Sequence, residues 1–166
     1  MQMRRSERAL TGLNDITAVL DRCLIMRLGL VDDDGPYIVP VHFAYVVRDG
    51  RITVYAHGAT QGRKFAAIAG RPQCCVEVDQ LDGLFDGGTG ACGLSGNYQS
   101  VIGFGVARIV DAQDEAHDAM AAIVARQKPE MVATVPSPLP DHVAIIAVDL
   151  DQVTGKARAS LVGQPV

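Results

Sequence analysis

Arg63 and Lys64 stand side by side at the head of an apolar run, Phe65-Ala66-Ala67-Ile68-Ala69. Before them come Tyr55-Ala56-His57-Gly58-Ala59-Thr60-Gln61-Gly62, mostly small residues around one imidazole. The stretch Arg51-Ile52-Thr53-Val54 reads as a strand and the apolar run as a short helix. A strand therefore ends, a small-residue loop follows, and two cations open a helix. Helix N-termini carry unpaired N–H groups and partial positive charge, so they attract anions. A guanidinium fork and an ammonium point charge added there make a phosphate socket. The competing interpretation is a solvated basic pair. His57, a lone histidine at a strand end, reads first as a hydrogen-bonding structural residue, as do His117 and His142. His42 lies on the preceding strand, facing away from Val41 and Phe43.

The elements that must position these residues follow from the chain in order. Residues 1–13 are polar and basic and read as an arm, with no apolar segment behind the charges as a signal peptide requires. Asn14 is placed to cap a helix over 15–22, with Ile16, Val19 and Leu20 on one face. Strands are expected over 23–31 and 37–47, joined by a turn at Asp32-Asp33-Asp34-Gly35-Pro36. The aspartate run reads as an acidic hairpin tip rather than a metal site. Pro40 cannot donate to a ladder, so it marks an edge, a bulge or a place where something other than a strand lies alongside. Asp49-Gly50 signals a hairpin into the strand over 51–57.

A fourth strand is expected over 73–79, then a glycine-rich loop over 80–97, a candidate lid. Its Gly88-x-Gly90-x-x-Gly93 spacing lacks the strand before it and the helix after it that a dinucleotide site needs. The fifth strand, 98–110, contains Gly103 and Gly105, which suggest sharp curvature or close backbone approach. Ala116, Ala119, Met120, Ile123 and Val124 form the stripe of a helix over 115–127. A proline-rich connector, 128–141, precedes a sixth strand over 142–151. Thr154-Gly155-Lys156 reads either as an exposed turn or as a segment that reaches a bound ligand from a second subunit. Six sequential antiparallel strands tend to close into a barrel, because closure removes edges. So small a barrel leaves little room inside, which puts a ligand on its outside or at a subunit interface.

Composition narrows the function classes. The 166 residues suggest one domain, and a net charge of −4 argues against a general nucleic-acid binder. No apolar run is long enough to span a bilayer as a helix, and a cytoplasmic setting is the expectation. Four cysteines without a C-x-x-C pair point to neither a disulfide framework nor a zinc site. Three read as buried thiols and Cys92 as an exposed one.

Taken together the motifs carry a resemblance. They are Met3-Arg4-Arg5-Ser6, Arg27-Leu28-Gly29-Leu30, Gly35-Pro36-Tyr37-Ile38-Val39-Pro40-Val41-His42-Phe43, Tyr55-Ala56-His57-Gly58-Ala59, Gly62-Arg63-Lys64, Tyr98-Gln99-Ser100-Val101-Ile102-Gly103-Phe104-Gly105 and Thr154-Gly155-Lys156. In that order and spacing the chain resembles the flavin-binding split-barrel superfamily typified by pyridoxamine 5′-phosphate oxidase. More narrowly it resembles the nitroimidazole-resistance (Nim) branch. The resemblance implies a mainly β fold with helices, a six-stranded antiparallel split barrel. It implies a homodimer with FMN at the interface.

The resemblance also distributes roles. Val39, Pro40, Val41 and His42 would line the isoalloxazine, and Tyr55, Ala56 and His57 would border the ring and ribityl chain. Arg63 and Lys64 would hold the phosphate, with Ser100 near it. His57 would be the proton donor to a small acceptor, loaded by a reductant the sequence does not name. No metal is implied. The chain ends in Ser160-Leu161-Val162-Gly163-Gln164-Pro165-Val166 and lacks the tryptophan and arginine-rich end of pyridoxamine 5′-phosphate oxidase, which speaks against that reaction itself. Haem held by His57 or His42, a deazaflavin, or flavin binding without turnover are the alternatives.

Overall fold

A computed structural model describes residues 5–158. Met3, Arg4 and the 160–166 tail lie outside that range. Seven strands and three helices follow in the order β1 (Ala9–Leu10), α1 (Leu13–Arg22), β2 (Ile25–Asp32), β3 (Gly35–Arg48), β4 (Arg51–Ala59), α2 (Arg63–Gly70), β5 (Gln73–Asp86), β6 (Leu94–Ile109), α3 (Gln113–Gln127) and β7 (Val143–Arg158). The strand order is β1-β7-β4-β3-β2-β5-β6, and a further β7–β6 pairing closes β2 to β7 into a ring of six. This is the antiparallel split barrel that the sequence predicts. The chain forms two compact units, one of Leu24–Glu77 with Gly103–Val153, the other of the described residues of 1–23, 78–102 and 154–158.

The larger unit is built from hairpins. β2 and β3 pair from Ile25↔His42 to Asp32↔Gly35 across the acidic turn. Asp49 and Gly50, both at positive φ, turn β3 into β4. Alternation along each strand sends Leu28, Phe43, Val54, Ile146 and Val148, none more than 1% exposed, to the interior. On another face Ala119 and Ile123 of α3 pack with Ala44, Tyr55, Val110, Ile145 and Ala147, as the helical stripe requires. Gly105 answers the expectation of close approach: a Cβ there would stand 2.1 Å from the Asp149 carbonyl oxygen.

In the smaller unit Ile16, Val19 and Leu20 of α1 are buried. The helix begins one residue before Asn14, and Asp15 accepts from the Gly12 N–H at 3.3 Å in place of an asparagine cap. The 1–13 arm is partly structured, because Ala9 and Leu10 pair with Lys156 and Gly155 of β7. Thr154-Gly155-Lys156 is therefore strand, not turn. A Cβ at Gly155 would meet Ile16 at 2.4 Å and Leu10 at 2.8 Å, so only glycine admits both neighbours.

The 80–97 loop expectation is corrected too. β5 runs on to Asp86 and β6 starts at Leu94, leaving a short connection that contains a 3-10 turn, Gly90–Gly93. Leu81, Leu84 and Leu94 are 55–62% exposed. A hairpin held by backbone pairing with little buried face shows no two-residue alternation to read. The 128–141 connector likewise holds a 3-10 turn, Pro129–Thr134.

Candidate functional site

β3 and β4 pair from Arg48↔Arg51 up to Phe43↔Ala56. The next residues along are His42 and His57, and there the strands part. β4 continues against β7 through His57↔Ile145, Gly58↔Ala144 and Ala59↔Val143. β3 continues against β2 alone, so its Gly35–His42 half has an edge that β4 does not cover. Pro40 sits within that half, which accounts for a proline inside a strand. The fork is lined by peptide edges and by the two imidazoles.

His57 is half-buried, and its Nδ1 is buried without a hydrogen-bond partner. An orphaned buried nitrogen is uncommon in a finished structure and calls for a partner. Burial lowers the His57 pKa, with the neighbouring His42 and Lys64 adding to the effect. The imidazole is thus neutral at neutral pH, which weakens it as a proton donor and leaves it suited to hydrogen bonding.

Gly62, at φ 117°, ends the loop and precedes α2. The two cations that follow diverge. Lys64 lies over Gly58, where a Cβ would stand 2.5 Å from its Nζ. No carboxylate pairs with it among the described residues, and its ammonium lies 5.8 Å from the Phe65 ring centroid. Burial lowers its pKa.

Arg63 points to the acidic turn instead. Its Nε donates to Asp32 Oδ2 at 2.6 Å and its Nη2 to Asp32 Oδ1 at 3.1 Å. Asp34 is 3.9 Å away, and the guanidinium stacks 4.5 Å from the Tyr37 ring centroid. The Arg63 hydrogen bond holds the Asp32 carboxyl below the usual carboxylate range. A cavity of about 300 Å³ lies between this turn and α2, lined by Asp32, Asp33, Asp34, Arg63 and Arg71 among others.

The remaining expected site residues are distributed as follows. Pro40 and His42 are exposed, Val39 is half-buried and Val41 is 8% exposed. Tyr55 and Ala56 are 4% and 1% exposed, so their side chains are core rather than site walls. The Tyr55 hydroxyl donates to Glu115 Oε1 at 2.9 Å, an attachment that holds it under α3. Ser100, half-buried on β6, belongs to the smaller unit. Asp32 and Tyr37 are not legible in the sequence as partners of Arg63. Opposite charge was the only signal, since the chain separates them by about thirty residues.

A second cavity, about 430 Å³, is lined by Arg48, Tyr55, Arg108, Glu115 and Asp118 with three apolar residues. Arg108 donates to both Glu115 oxygens, at 3.0 and 2.6 Å, and to Asp149 at 3.3 Å. None of the four cysteines forms a disulfide: Cys23 and Cys74 are buried, Cys75 is half-buried and Cys92 is exposed. Burial pushes the Cys74 pKa up to about 12, so it is inert at neutral pH. No cluster of three metal-ligating side chains occurs among the described residues. No helix among them is long and apolar enough to cross a membrane.

The sequence profile of the pyridoxamine 5′-phosphate oxidase family matches residues 13–157, nearly the whole described chain. The chain belongs to that family. No curated protein matches it significantly. Solved structures share the family fold at low identity. The flavocytochrome Anf3 of Azotobacter vinelandii is 23% identical, with a TM-score of 0.80 over 96% of this chain and 73% of that one. An FAD and heme binding protein of Mycobacterium smegmatis is 22% identical, with a TM-score of 0.78 over 95% and 76%. A candidate 5-nitroimidazole antibiotic resistance protein of Bacteroides thetaiotaomicron is 20% identical, with a TM-score of 0.69 over 89% and 85%.

Proposed function

We propose that this member of the pyridoxamine 5′-phosphate oxidase family binds FMN at the fork between β3 and β4 and works as a flavin-dependent oxidoreductase on a small planar acceptor. The observation that carries the proposal is the unsatisfied polar set at the fork. Among the described residues, a half-buried ammonium without a carboxylate and an imidazole nitrogen without a partner both lie where two strands part. Buried polar groups of this kind are stabilised by a ligand that supplies acceptors. The phosphate would go to Lys64, with Arg63 and the first N–H groups of α2 in support. The isoalloxazine would lie along the open edge of β3, against Val39, Pro40, Val41 and His42. The polypeptide at 55–57 would contribute backbone and the His57 ring.

Bound FMN supplies the redox chemistry, and the protein supplies binding, orientation and electrostatics. His57, neutral at neutral pH, would fix the ring or the acceptor by hydrogen bonding and give up a proton only once charged in acid. Nitroaromatics are the first acceptors to assay, on the resemblance to the Nim branch and the likeness in fold to the Bacteroides protein. A second copy of the chain would complete the site. Its support is the outer face of β6, where Phe104 and Val106 are 47% and 43% exposed side by side. Four cysteines without a disulfide fit a reducing, cytoplasmic setting.

A haem reading has one observation in its favour, the pair of imidazoles at the fork, since haem iron takes a histidine ligand. One experiment separates the two. The purified protein is incubated with FMN, desalted, and its absorption spectrum recorded, then the same is done with haem. A flavin spectrum that survives desalting supports the FMN proposal. A retained Soret band with no retained flavin overturns it in favour of haem.

A further inference from the structure

We propose that Asp32 is a displaceable counter-ion that occupies the guanidinium of Arg63 until a phosphate-bearing ligand replaces it. The inference rests on the FMN reading above and adds what sets the affinity of that site. Adjacent cations at the head of α2 would be expected to close on one anion together. They do not: Lys64 lies over Gly58, while Arg63 is held by Asp32 through two hydrogen bonds and stacked on Tyr37. The pair is open to solvent on the arginine side, with 48% of that side chain and 17% of the Asp32 side chain exposed. Exposed ion pairs are weak, and a phosphate offers more charge and a third acceptor oxygen to the same fork. Exchange of carboxylate for phosphate on Arg63 is therefore cheap.

The rest of the turn acts in the same sense. Asp34 lies 3.9 Å from the guanidinium, and Asp33 lies 4.0 Å from Arg71. Three carboxylates therefore stand by two guanidinium groups on this side of α2, so Arg63 is supplied with competing counter-ions. Tyr37 keeps the guanidinium plane in place during the exchange, because a ring face holds the cation without using its N–H groups. Asp32 is thus an affinity-setting residue that acts through Arg63 rather than by touching the ligand.

The test is a titration of FMN and of riboflavin, which lacks the phosphate, followed by flavin fluorescence. It uses the wild type, Asp32→Asn, Arg63→Ala and the double variant at one ionic strength. Asn keeps the shape of Asp32, and a thermal melt of each variant confirms folding. Asp32→Asn is expected to tighten FMN by about twofold to fivefold, a range set by the size of surface ion-pair energies. It is expected to leave riboflavin unchanged, and the gain is expected to vanish in the Arg63→Ala background. Asp34→Asn, further from the guanidinium, should show the same pattern at smaller size.

The inference is overturned if Asp32→Asn leaves FMN binding unchanged or weaker. It also falls if the gain persists without Arg63 or extends equally to riboflavin. In each of those cases FMN binding by the wild type would leave the flavin reading standing. Binding of neither flavin by any variant would sink both.

Discussion

Two polar clusters of the larger unit use the same residue types to opposite ends. Around α3, Arg108 is shared by Glu115 and Asp149, and Glu115 also takes the Tyr55 hydroxyl. At the fork, Lys64 has no carboxylate and His57 Nδ1 no partner among the described residues. The cluster at α3 lines a cavity of about 430 Å³. Saturation is what separates them. The α3 cluster spends its donors and acceptors on itself and ties a helix to the sheet. The fork keeps a cation and a ring nitrogen in reserve, and these are the groups the proposed flavin site would use. Arg63 stands between the two cases, satisfied by a carboxylate that a stronger anion can displace.

The sharpest way to break this contrast is to strip both cations from α2. The Arg63→Ala, Lys64→Ala double variant should lose FMN affinity by about a hundredfold, on the scale of two charge-assisted contacts to phosphate. Equilibrium dialysis reads this directly. The melting temperature should move little, because neither cation is buried in the core.

The complementary change is Glu115→Ala. It leaves Arg108 without its bidentate partner and the Tyr55 hydroxyl without its acceptor, and should cost about 2 kcal/mol of stability. Urea unfolding measures that loss, and FMN affinity should be unchanged. If Glu115→Ala abolished FMN binding at constant stability, the division between glue and site would be wrong.

A smaller effect is expected from Gly58→Ala. The new methyl would stand 2.5 Å from the Lys64 ammonium and must push it aside. FMN affinity should fall about fivefold with the fold intact, since only the position of one flexible cation changes.

The smallest concerns pH. Burial lowers the His57 pKa in the folded state, so the unfolded chain binds its proton more readily. Stability then rises with pH through this window: it is lost as pH falls below the ordinary histidine value of 6.5 toward the folded value. His57→Gln should flatten that slope in thermal melts between about pH 7.5 and pH 5.5, one unit either side of the ordinary value.

The fold was legible because it rests on local signals. Asp49-Gly50 forces a hairpin, the Ala116 to Val124 stripe demands a packed helix face, and Pro40 cannot sit in a fully paired strand. The positions of Arg63 and Lys64 at the start of α2 were equally readable. Their divergence was not, because it depends on where Gly58 and the acidic turn come to lie once β2, β3 and β4 are paired. The burial of the Tyr55 side chain was not legible for a related reason. A strand shows which residues share a face, but only the packing of α3 decides which part of that face is covered. The 80–97 segment hid its strands because an exposed hairpin rich in glycine has no apolar alternation to display.

The central claim is that an unsatisfied lysine at the strand fork holds a flavin by its phosphate. It is tested most directly by the ratio of riboflavin to FMN dissociation constants, measured by flavin fluorescence in the wild type and in Lys64→Ala. The account predicts a wild-type ratio well above ten that falls toward one in the variant, while riboflavin affinity stays the same within about twofold. A wild type that does not distinguish the two flavins, or a ratio that survives the loss of Lys64, would contradict it.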